Sequence, residues 1–336
     1  MTSPVAAASG GGPERLVILV PLFNEWAVAE RMLVQLDGVL AEHRLAAQVV
    51  LIDDGSTEPR PPSYLDRPWA ALGPVEVLLL RRNLGHQRAI AIGLAFVQAE
   101  RPCDAVVVMD GDGEDAPSDV PRLLDKFREH GGASIVFAAR TRRSESLAFR
   151  IGYHAFRLVH RILIGLPVKV GNFSVLPRRQ LDRLVVISEI WNHYAAAVIK
   201  ARLPHETVDT SRARRLGGRS SMNLVSMVVH GLSAMAVYGE VIGVRLLCTT
   251  FVLIVLAAAL FAGLVVVPPL TGLQVPRSAA LVAGTLVVIL AQAVLMAFVL
   301  VFIVLGSRAG FTFLPIRDFR VFVGEVVALP GPRSTP

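Results

Sequence analysis

The sequence has few charged side chains for its length and almost no cysteine. Only 18% of the 336 residues are charged, whereas 53% are hydrophobic. A chain this apolar is not expected to be purely soluble, so part of it should lie in a membrane. Its two cysteines, Cys103 and Cys248, are far apart and lie in apolar surroundings. They predict neither a metal site nor a disulfide framework, which fits a reducing, cytoplasmic compartment for the main domain.

The first residues lack the features of a signal peptide. The opening "MTSPVAAASGGGPER" has no basic region followed by an apolar one. Residues 1–14 are therefore expected to form a disordered tail, and the membrane anchor is expected later in the chain.

Two long runs without charge supply that anchor. They cover about residues 246–267 and 279–306, and Gln292 is the only strongly polar residue of the second run. Each is long enough for the roughly 20 residues that a membrane-spanning helix needs. Because a short proline-containing turn joins them, the sequence predicts a transmembrane helical hairpin over residues 241–307. Two buried helices of a soluble core are the less favoured alternative.

Basic residues flank the hairpin on one side. Arg245 precedes the first run and Arg308 follows the second, while the connecting turn holds only Arg277. The positive-inside rule then predicts a multi-pass protein of the cytoplasmic (inner) membrane with both termini in the cytoplasm. Residues 308–336 are expected to form a cytoplasmic tail.

The part before the hairpin alternates between strand-like and helix-like segments. Five short apolar runs rich in β-branched residues cover residues 16–20, 49–53, 75–80, 105–109 and 134–138. This alternation predicts an α/β domain with a mostly parallel sheet. Ligands of such sheets bind beyond the carboxyl ends of the strands.

Three polar motifs directly follow strand runs, so we expect them at one edge of the sheet. They are "PLFNE", "DDGS" and "DGDGED". In the third, Asp110 and Asp112 are spaced so that both carboxylates can approach Mg²⁺ or Mn²⁺ together with diphosphate oxygens. A solvated turn that caps a helix near Ser118 explains this motif alone about equally well. An EF-hand loop is rejected, because Asp115 and Pro121 stand where that loop needs Gly and Glu.

Positive charge is concentrated in residues 141–220, which hold fifteen Lys and Arg against five Asp and Glu. This position immediately before the hairpin favours anionic lipid over nucleic acid as the partner. A helical stripe that includes Arg150, within a helix near 147–165, predicts a helix in the membrane interface. A helix packed on the sheet is the alternative. A second interfacial helix is expected near 222–240.

Six motifs together resemble a known family. In order and spacing, "VPLFNE", "IDDGS", "RNLGHQRAIAIGL", "MDGDGEDAP", "FAAR" and "RRLGGRSS" resemble the family 2 inverting glycosyltransferases of the dolichyl-phosphate mannose synthase and undecaprenyl-phosphate glucosyltransferase type. The resemblance covers about residues 15–240. No single motif is specific, but the ordered set is. It implies a GT-A catalytic domain, Rossmann-like with a mostly parallel sheet.

The resemblance also implies roles for individual residues. The nucleotide sugar would be held by Pro21, Asn24, Glu25, Asp53, Asp54, Asp110, Arg215 and Ser220. The metal would be held by Asp110, Asp112 and Glu114, and the catalytic residues would be Asp112, Arg140 and Arg150, the two arginines binding the acceptor phosphate. Two positions depart from the family pattern: Glu114 stands for the usual Gln, and Ser221 stands for a frequent Lys.

The expected reaction moves a sugar from a UDP- or GDP-linked donor to a polyprenyl phosphate, such as undecaprenyl or dolichyl phosphate. Such an acceptor brings its own anionic nucleophile, so no strong catalytic base is needed. A hydroxyl acceptor on a glycolipid or glycan is the first alternative, and it would require a carboxylate base such as Asp112 or Glu114. A non-catalytic membrane scaffold for lipid-linked sugars is the second. A homo-oligomer is possible.

Overall fold

The computed structural model describes residues 15–62, 64–65, 67–140, 165, 170–211, 213, 215–217, 224–272, 276–309 and 313–329. Several predicted features lie outside these residues. They are the disordered tail, Arg150, Ser220 and the first interfacial helix, of which only Gly165 is described. The chain forms two compact units. The first contains Met1–Ser146, Val168–Val237 and Phe313–Pro336, and the second contains Leu147–Pro167 and Tyr238–Thr312.

The first unit is built on one eight-stranded sheet with the strand order β7-β5-β6-β4-β1-β2-β3-β8. The strands are β1 (Leu16–Leu22), β2 (Ala47–Asp53), β3 (Leu72–Leu80), β4 (Ala105–Val108), β5 (Ile135–Arg140), β6 (Ser174–Pro177), β7 (His205–Thr210) and β8 (Val323–Ala328). Strands β4, β1, β2 and β3 are parallel neighbours. Strand β6 is antiparallel to β4 and β5, and β8 is antiparallel to β3. The sheet is therefore mixed but mostly parallel, as the sequence predicts.

Helices follow most of the strands. They are α1 (Trp26–Glu42), α2 (His86–Glu100), α3 (Val120–Glu129), α4 (Arg178–Leu184), α5 (Tyr194–Lys200), α6 (Leu224–Ala236), α7 (Gly239–Thr271), α8 (Arg277–Ala309) and α9 (Pro315–Phe322). Two single 3₁₀ turns, Pro117–Asp119 and Ser188–Trp191, precede α3 and α5. Helix α6 lies where the second interfacial helix is expected, and its position at a membrane stays a prediction.

The central strands are buried on both faces, because alternate side chains enter two separate hydrophobic clusters. Leu19 of β1 packs in a cluster with residues of α2 such as Ile90, whereas its neighbour Ile18 packs with residues of α1 such as Leu33. Gly93 brings α2 close to the sheet, since a Cβ at this position would collide with the side chains of Ile52 and Leu19. This two-sided packing explains why the strand sequences are continuously apolar.

Strands β1 to β5 overlap the five predicted runs, but three further strands were not predicted. Strand β8 and helix α9 lie in the stretch 308–336 that the sequence predicts only as a tail. In the structure β8 pairs with β3, and the backbone N–H of Arg81 donates to the carbonyl of Phe322 at 2.9 Å. The backbone N–H of Leu329 donates to the carbonyl of Val75 at 2.9 Å. This stretch therefore completes one edge of the sheet.

The second unit contains the two long apolar helices. Within α7 and α8, the stretches Gly239–Pro268 and Leu281–Ile303 are long and apolar enough to cross a membrane. Only 6% of the apolar window in each is buried. The two helices include the predicted spans and pack against each other, so the structure contains the predicted hairpin.

Candidate active site

The structure brings the three polar motifs together at one edge of the sheet. Strands β4, β1 and β2 are parallel neighbours and end at Val108, Leu22 and Asp53. The third motif follows the end of β4, and the first two begin within the last residues of β1 and β2, so all three lie at this edge, as the sequence predicts. Pro21 is buried within β1, where it lies opposite Ile52 of β2.

Asn24 connects the loop after β1 to the loop after β2. Its backbone adopts a left-handed conformation with φ of 55°. Its Oδ1 accepts hydrogen bonds from the backbone N–H groups of Thr57 and Glu58, at 2.8 and 3.0 Å, and its Nδ2 donates to Oγ1 of Thr57. The structure thus gives Asn24 a loop-bridging position, and its contact with a nucleotide stays a prediction.

The paired aspartates at the end of β2 have different surroundings. Oδ1 of Asp53 accepts from the backbone N–H of Ser56 at 2.8 Å. The two carboxylate oxygens of Asp54 accept from the backbone N–H groups of Leu84 and Gly85, at 2.7 and 2.8 Å. Burial raises the pKa of Asp54, and these two hydrogen bonds partly offset that effect. Asp54 therefore holds the turn that begins α2 against the end of β2.

The loop after β4, residues 110–115, is called the acidic loop below. Two of its carboxylates accept hydrogen bonds from its own backbone. The backbone N–H of Asp110 donates to Oδ2 of Asp115, which is 2% exposed, at 2.9 Å. The backbone N–H of Glu114 donates to Oδ1 of Asp112 at 2.9 Å. Burial raises the pKa of Asp112, and the negative charges of Asp110 and Glu114 add to this rise. The Glu114 hydrogen bond and the charge of Arg215 oppose it. The carboxylates of Asp110 and Asp112 therefore lie close to further negative charge, which favours the binding of a cation.

The segment at 213–217 crosses this loop. The backbone N–H groups of Ala213 and Leu216 donate to the carbonyls of Glu114 and Asp112, each at 3.1 Å. Gly113 adopts φ of +80°, and a Cβ at this position would collide with the Leu216 side chain. A glycine is therefore needed for so close a crossing.

Arg215 joins two of the motifs through its side chain. Nη2 of Arg215 lies 2.8 Å from Oε1 of Glu25 and 3.6 Å from Oδ2 of Asp112. Its Nε is buried and has no hydrogen-bond partner among the described residues. The resemblance implies that Arg215 contacts the donor diphosphate, and the structure places it beside the acidic loop where such a contact would occur.

His86 approaches the acidic loop from the start of α2. Its Nε2 lies 3.1 Å from Oδ1 of Asp110 and 2.9 Å from Nδ2 of Asn172. Burial lowers the pKa of His86, but the charges of Asp110, Asp115 and Asp112 outweigh burial and raise it above its usual value. From the sequence, His86 could equally be a phosphate contact or a surface charge.

A chain of amide groups fixes the orientation of Asn172. The backbone N–H of Tyr194 donates to Oε1 of Gln87 at 2.8 Å, so Nε2 of Gln87 must face Oδ1 of Asn172, at 3.0 Å. Nδ2 of Asn172 is then directed at His86. Asn172 lies in none of the six motifs and was missed, whereas Gln87 lies in "RNLGHQRAIAIGL" but received no role from the sequence. No local pattern could have predicted that these two side chains bond to each other, because they are 85 residues apart in the chain.

The residues present fit a divalent cation only in part. Within the described ranges, no three His, Cys, Asp or Glu side chains form a group that could hold a metal. Asp110 and Asp112 offer two carboxylates, so the remaining ligands would come from water or substrate oxygens, an arrangement that is common for Mg²⁺. Glu114 as a third ligand stays a prediction.

The predicted acceptor side of the site is only partly described. Arg140 is the last residue of β5 and pairs with Thr210 of β7. Because β6 is antiparallel to both β4 and β5, strand β5 ends at the same edge as the acidic loop. The side chain of Arg140 lies outside the described part of the chain, so its role stays a prediction together with those of Arg150 and Ser220.

Known proteins share this sequence pattern. The chain is 27% identical over 217 residues to the uncharacterized glycosyltransferase YkcC of Bacillus subtilis (strain 168), covering 63% of this chain and 64% of that protein. It is 27% identical over 150 residues to undecaprenyl-phosphate 4-deoxy-4-formamido-L-arabinose transferase of Klebsiella pneumoniae (strain 342), covering 45% of this chain and 43% of that protein. The chain thus spans less than two thirds of the length of these curated relatives.

Among solved structures, the chain is similar to mannosyl-3-phosphoglycerate synthase from Rubrobacter xylanophilus, with a TM-score of 0.49 and 15% identity. That likeness covers 67% of this chain and 73% of the other. The family model described as glycosyl transferase family 2 matches residues 17–185, which is half of the chain. The chain therefore belongs to glycosyl transferase family 2.

Proposed function

We propose that this glycosyltransferase moves a sugar from a nucleotide diphosphate sugar to a polyprenyl phosphate at the cytoplasmic face of a membrane. The observation that carries the proposal is the placement of Arg215 between Glu25 and Asp112, at the sheet edge where the acidic loop lies. An arginine beside carboxylates can bind a diphosphate whose charge is shared with a cation. The relative named as an undecaprenyl-phosphate sugar transferase supports the choice of acceptor.

On this proposal, Asp110 and Asp112 hold Mg²⁺ or Mn²⁺. When bound, the cation neutralises charge on the donor diphosphate and on the leaving nucleotide. Arg215, which already lies beside Asp112, would supply a further positive charge to the leaving group. The N–H of Glu114 holds the carboxylate of Asp112, and the bond from the N–H of Asp110 to Asp115 holds the backbone of the loop at Asp110.

The acceptor phosphate would bind near the end of β5. Arg140 belongs to the same sheet edge as the acidic loop, and Arg150 follows ten positions later in the chain. A phosphate monoester has a second pKa of about 6, so it is largely a dianion at neutral pH and can attack without a protein base. Rate would then come from positioning and from charge stabilisation of the leaving group.

The hairpin of α7 and α8 would anchor the enzyme beside its lipid acceptor. Both helices are long and apolar enough to cross a membrane, and most of their apolar surface is exposed. Insertion into lipid would cover that surface. The charge asymmetry around the hairpin supports cytoplasmic termini.

Product formation by the detergent-purified protein tests this function. Undecaprenyl phosphate is mixed with a panel of UDP- and GDP-sugars, with Mg²⁺ or Mn²⁺ and then with a chelator. We expect a glycosyl phosphate that extracts with the lipid and is lost on chelation. Metal-dependent donor binding without any such product would contradict the polyprenyl phosphate acceptor and favour a hydroxyl acceptor.

A single substitution tests the metal assignment. Asp112→Asn keeps the shape of the side chain but removes its charge, so metal-dependent turnover should be lost while the protein still folds. Asp125→Asn, on the exposed surface of α3, is the matched control and should keep its turnover. Full activity of Asp112→Asn would exclude Asp112 as a metal ligand.

A further inference from the structure

The first unit exposes few large apolar side chains. Among its described residues outside α6, Val321 and Val186 are the most exposed, at 68% and 55%. Val321 belongs to α9. Val186 follows Val185, whose carbonyl accepts from the backbone N–H of Ile316 in α9 at 3.1 Å. Both valines therefore belong to the region where the turn after α4 meets α9.

Three aromatic rings pack together in the same region. The ring centroid of Trp191 lies 3.9 Å from that of Phe313 and 5.2 Å from that of Phe322. Each ring packs on one side against the hydrophobic cluster between the sheet and α2, and each remains partly exposed. The aromatic patch is the name used below for Val186, Trp191, Phe313, Val321 and Phe322.

The aromatic patch lies at the edge of the sheet that carries the acidic loop. The backbone N–H of Arg81 donates to the carbonyl of Phe322 at 2.9 Å, and Arg81 directly follows the end of β3. Because β3, β2, β1 and β4 are parallel neighbours, the end of β3 lies at the same edge as the end of β4. The candidate active site and the patch therefore share one edge of the sheet.

The patch also includes the residue at which the first unit resumes after the hairpin. This residue is Phe313, four positions after Ala309, the last residue of α8. At about 3.6 Å per residue, Phe313 can lie no more than roughly 14 Å from the end of that helix. The proposed insertion of the hairpin therefore brings this ring close to the membrane surface.

Exposed arginines flank the patch. Cζ of Arg88 lies 5.1 Å from the ring centroid of Trp191, and both Arg88 and Arg81 are exposed. Within the described ranges, neither arginine forms an ion pair with a carboxylate. Arg317 of α9 differs, because it pairs with Asp318. Anionic lipid headgroups attract positive charge of this kind to a membrane surface.

We propose that the aromatic patch rests in the headgroup region of an anionic bilayer, with Arg81 and Arg88 beside the lipid phosphates. Tryptophan is favoured at this depth, and an arginine can keep its charge among the headgroups while its stem lies along apolar groups. The bilayer would also cover the exposed valines and rings. The contact would hold the edge with the acidic loop against the membrane. This inference rests on the proposed insertion of the hairpin.

Quenching of tryptophan fluorescence by brominated lipids tests the contact. The full chain is reconstituted in vesicles of phosphatidylcholine and phosphatidylglycerol without polyprenyl phosphate, with or without bromine on the acyl chains. Bromine should reduce the emission of the wild-type protein, and Trp191→Phe should abolish that reduction. Trp69→Phe is the matched control and should keep it. Trp69 is likewise partly exposed, with Cζ of Arg67 5.6 Å from its ring centroid.

Two further substitutions test the chemistry of the patch. Val321→Glu places a charge among the apolar side chains and should weaken the quenching, whereas Val34→Glu, at an exposed position of α1, should not. Arg88→Gln should lower the equilibrium constant of the contact by about fivefold, the usual contribution of one arginine near an anionic surface. Arg128→Gln, on α3, is the control for the loss of charge and should leave the quenching unchanged.

The outcomes separate this contact from the proposed function. If bromine leaves wild-type emission unchanged although sodium carbonate does not release the protein, the anchoring stands and the contact is overturned. Equal loss of quenching in Trp191→Phe and Trp69→Phe would also overturn it. If carbonate releases the protein, the proposed anchoring is wrong and the inference is overturned with it. Transfer to undecaprenyl phosphate is measured in detergent, so its outcome does not depend on this contact.

Discussion

Nη2 of Arg215 lies 2.8 Å from Oε1 of Glu25, although the two residues are 190 positions apart in the chain. This ion pair fastens the segment after β7 to the turn that begins α1. The same guanidinium also lies 3.6 Å from Oδ2 of Asp112. A diphosphate bound at the acidic loop would therefore meet an arginine that is already in place.

The first prediction concerns Arg215. Arg215→Ala should weaken binding of the nucleotide sugar by about 1.5–3 kcal/mol, the usual value of a hydrogen bond that involves a charged group. Removal of the guanidinium also leaves the carboxylates of Glu25 and Asp112 facing the anionic donor. Calorimetric titration with UDP- and GDP-sugars measures this change. Arg128→Ala, which breaks an exposed pair with Asp125 on α3, is the control, and equal affinities of both variants would refute the assigned role.

The second prediction concerns the glycine beneath the crossing segment. Gly113→Ala should disrupt the contact with Leu216 and lower donor affinity, because the added Cβ collides with that side chain. Gly131 also has a positive φ, of +59°, but a Cβ there meets nothing within 4 Å. Gly131→Ala therefore has the backbone strain without the collision. Donor titration of both variants should show a loss for Gly113→Ala alone.

The third prediction concerns Asp54, whose carboxylate holds the turn before α2 through two backbone hydrogen bonds. Asp54→Ala leaves the N–H groups of Leu84 and Gly85 without their acceptor, at a cost of about 1–3 kcal/mol for each buried group. Thermal unfolding in detergent should show a clearly lower midpoint. Asp182→Ala, which removes an exposed partner of Arg178, should shift the midpoint much less. A wild-type midpoint for Asp54→Ala would contradict the role that its hydrogen bonds indicate.

The fourth prediction concerns the amide chain behind the acidic loop. Asn172→Ala removes the group that contacts Nε2 of His86, so His86 loses its fixed orientation against Asp110. Because His86 contacts the proposed metal ligand Asp110, we expect this loss of orientation to lower Mn²⁺ affinity. Mn²⁺ titration followed by electron paramagnetic resonance reports this directly. Gln98→Ala, at the other end of α2 and bonded to Asp182, should leave Mn²⁺ affinity unchanged.

The strands that sequence patterns predicted share one property, which is burial on both faces. Such strands are continuous runs of β-branched residues, and β1 is buried at every position. Strand β7, "HETVDT", lies at a sheet edge and has Val208 as its one apolar residue, so it has no apolar run. Strand β6, "SVLP", is buried but has only two apolar side chains between Ser174 and Pro177, too few to form an apolar run. Short or one-sided strands leave little trace in composition.

Sequence patterns likewise predicted only part of the candidate site. The acidic loop and the turns after β1 and β2 could be placed at one edge, because each motif directly follows a strand. The pairing of Arg215 with Glu25 and the approach of Asn172 to His86 depend on how distant segments cross, and no local pattern encodes such crossings. The distinction between Asp53 and Asp54 likewise required knowledge of which backbone N–H groups face each carboxylate.

After the hairpin the chain returns to the sheet, which decides where the hairpin lies in the order of the fold. The first unit is interrupted after Val237 and resumes at Phe313, so the hairpin is an insertion within the catalytic fold and not an appendage at its end. Cutting the gene before the hairpin would delete strand β8 and leave β3 with an unpaired edge, which favours aggregation. A shortened version of this chain that keeps both borders of the sheet must therefore retain residues 313–329, because they carry the strand that pairs with β3.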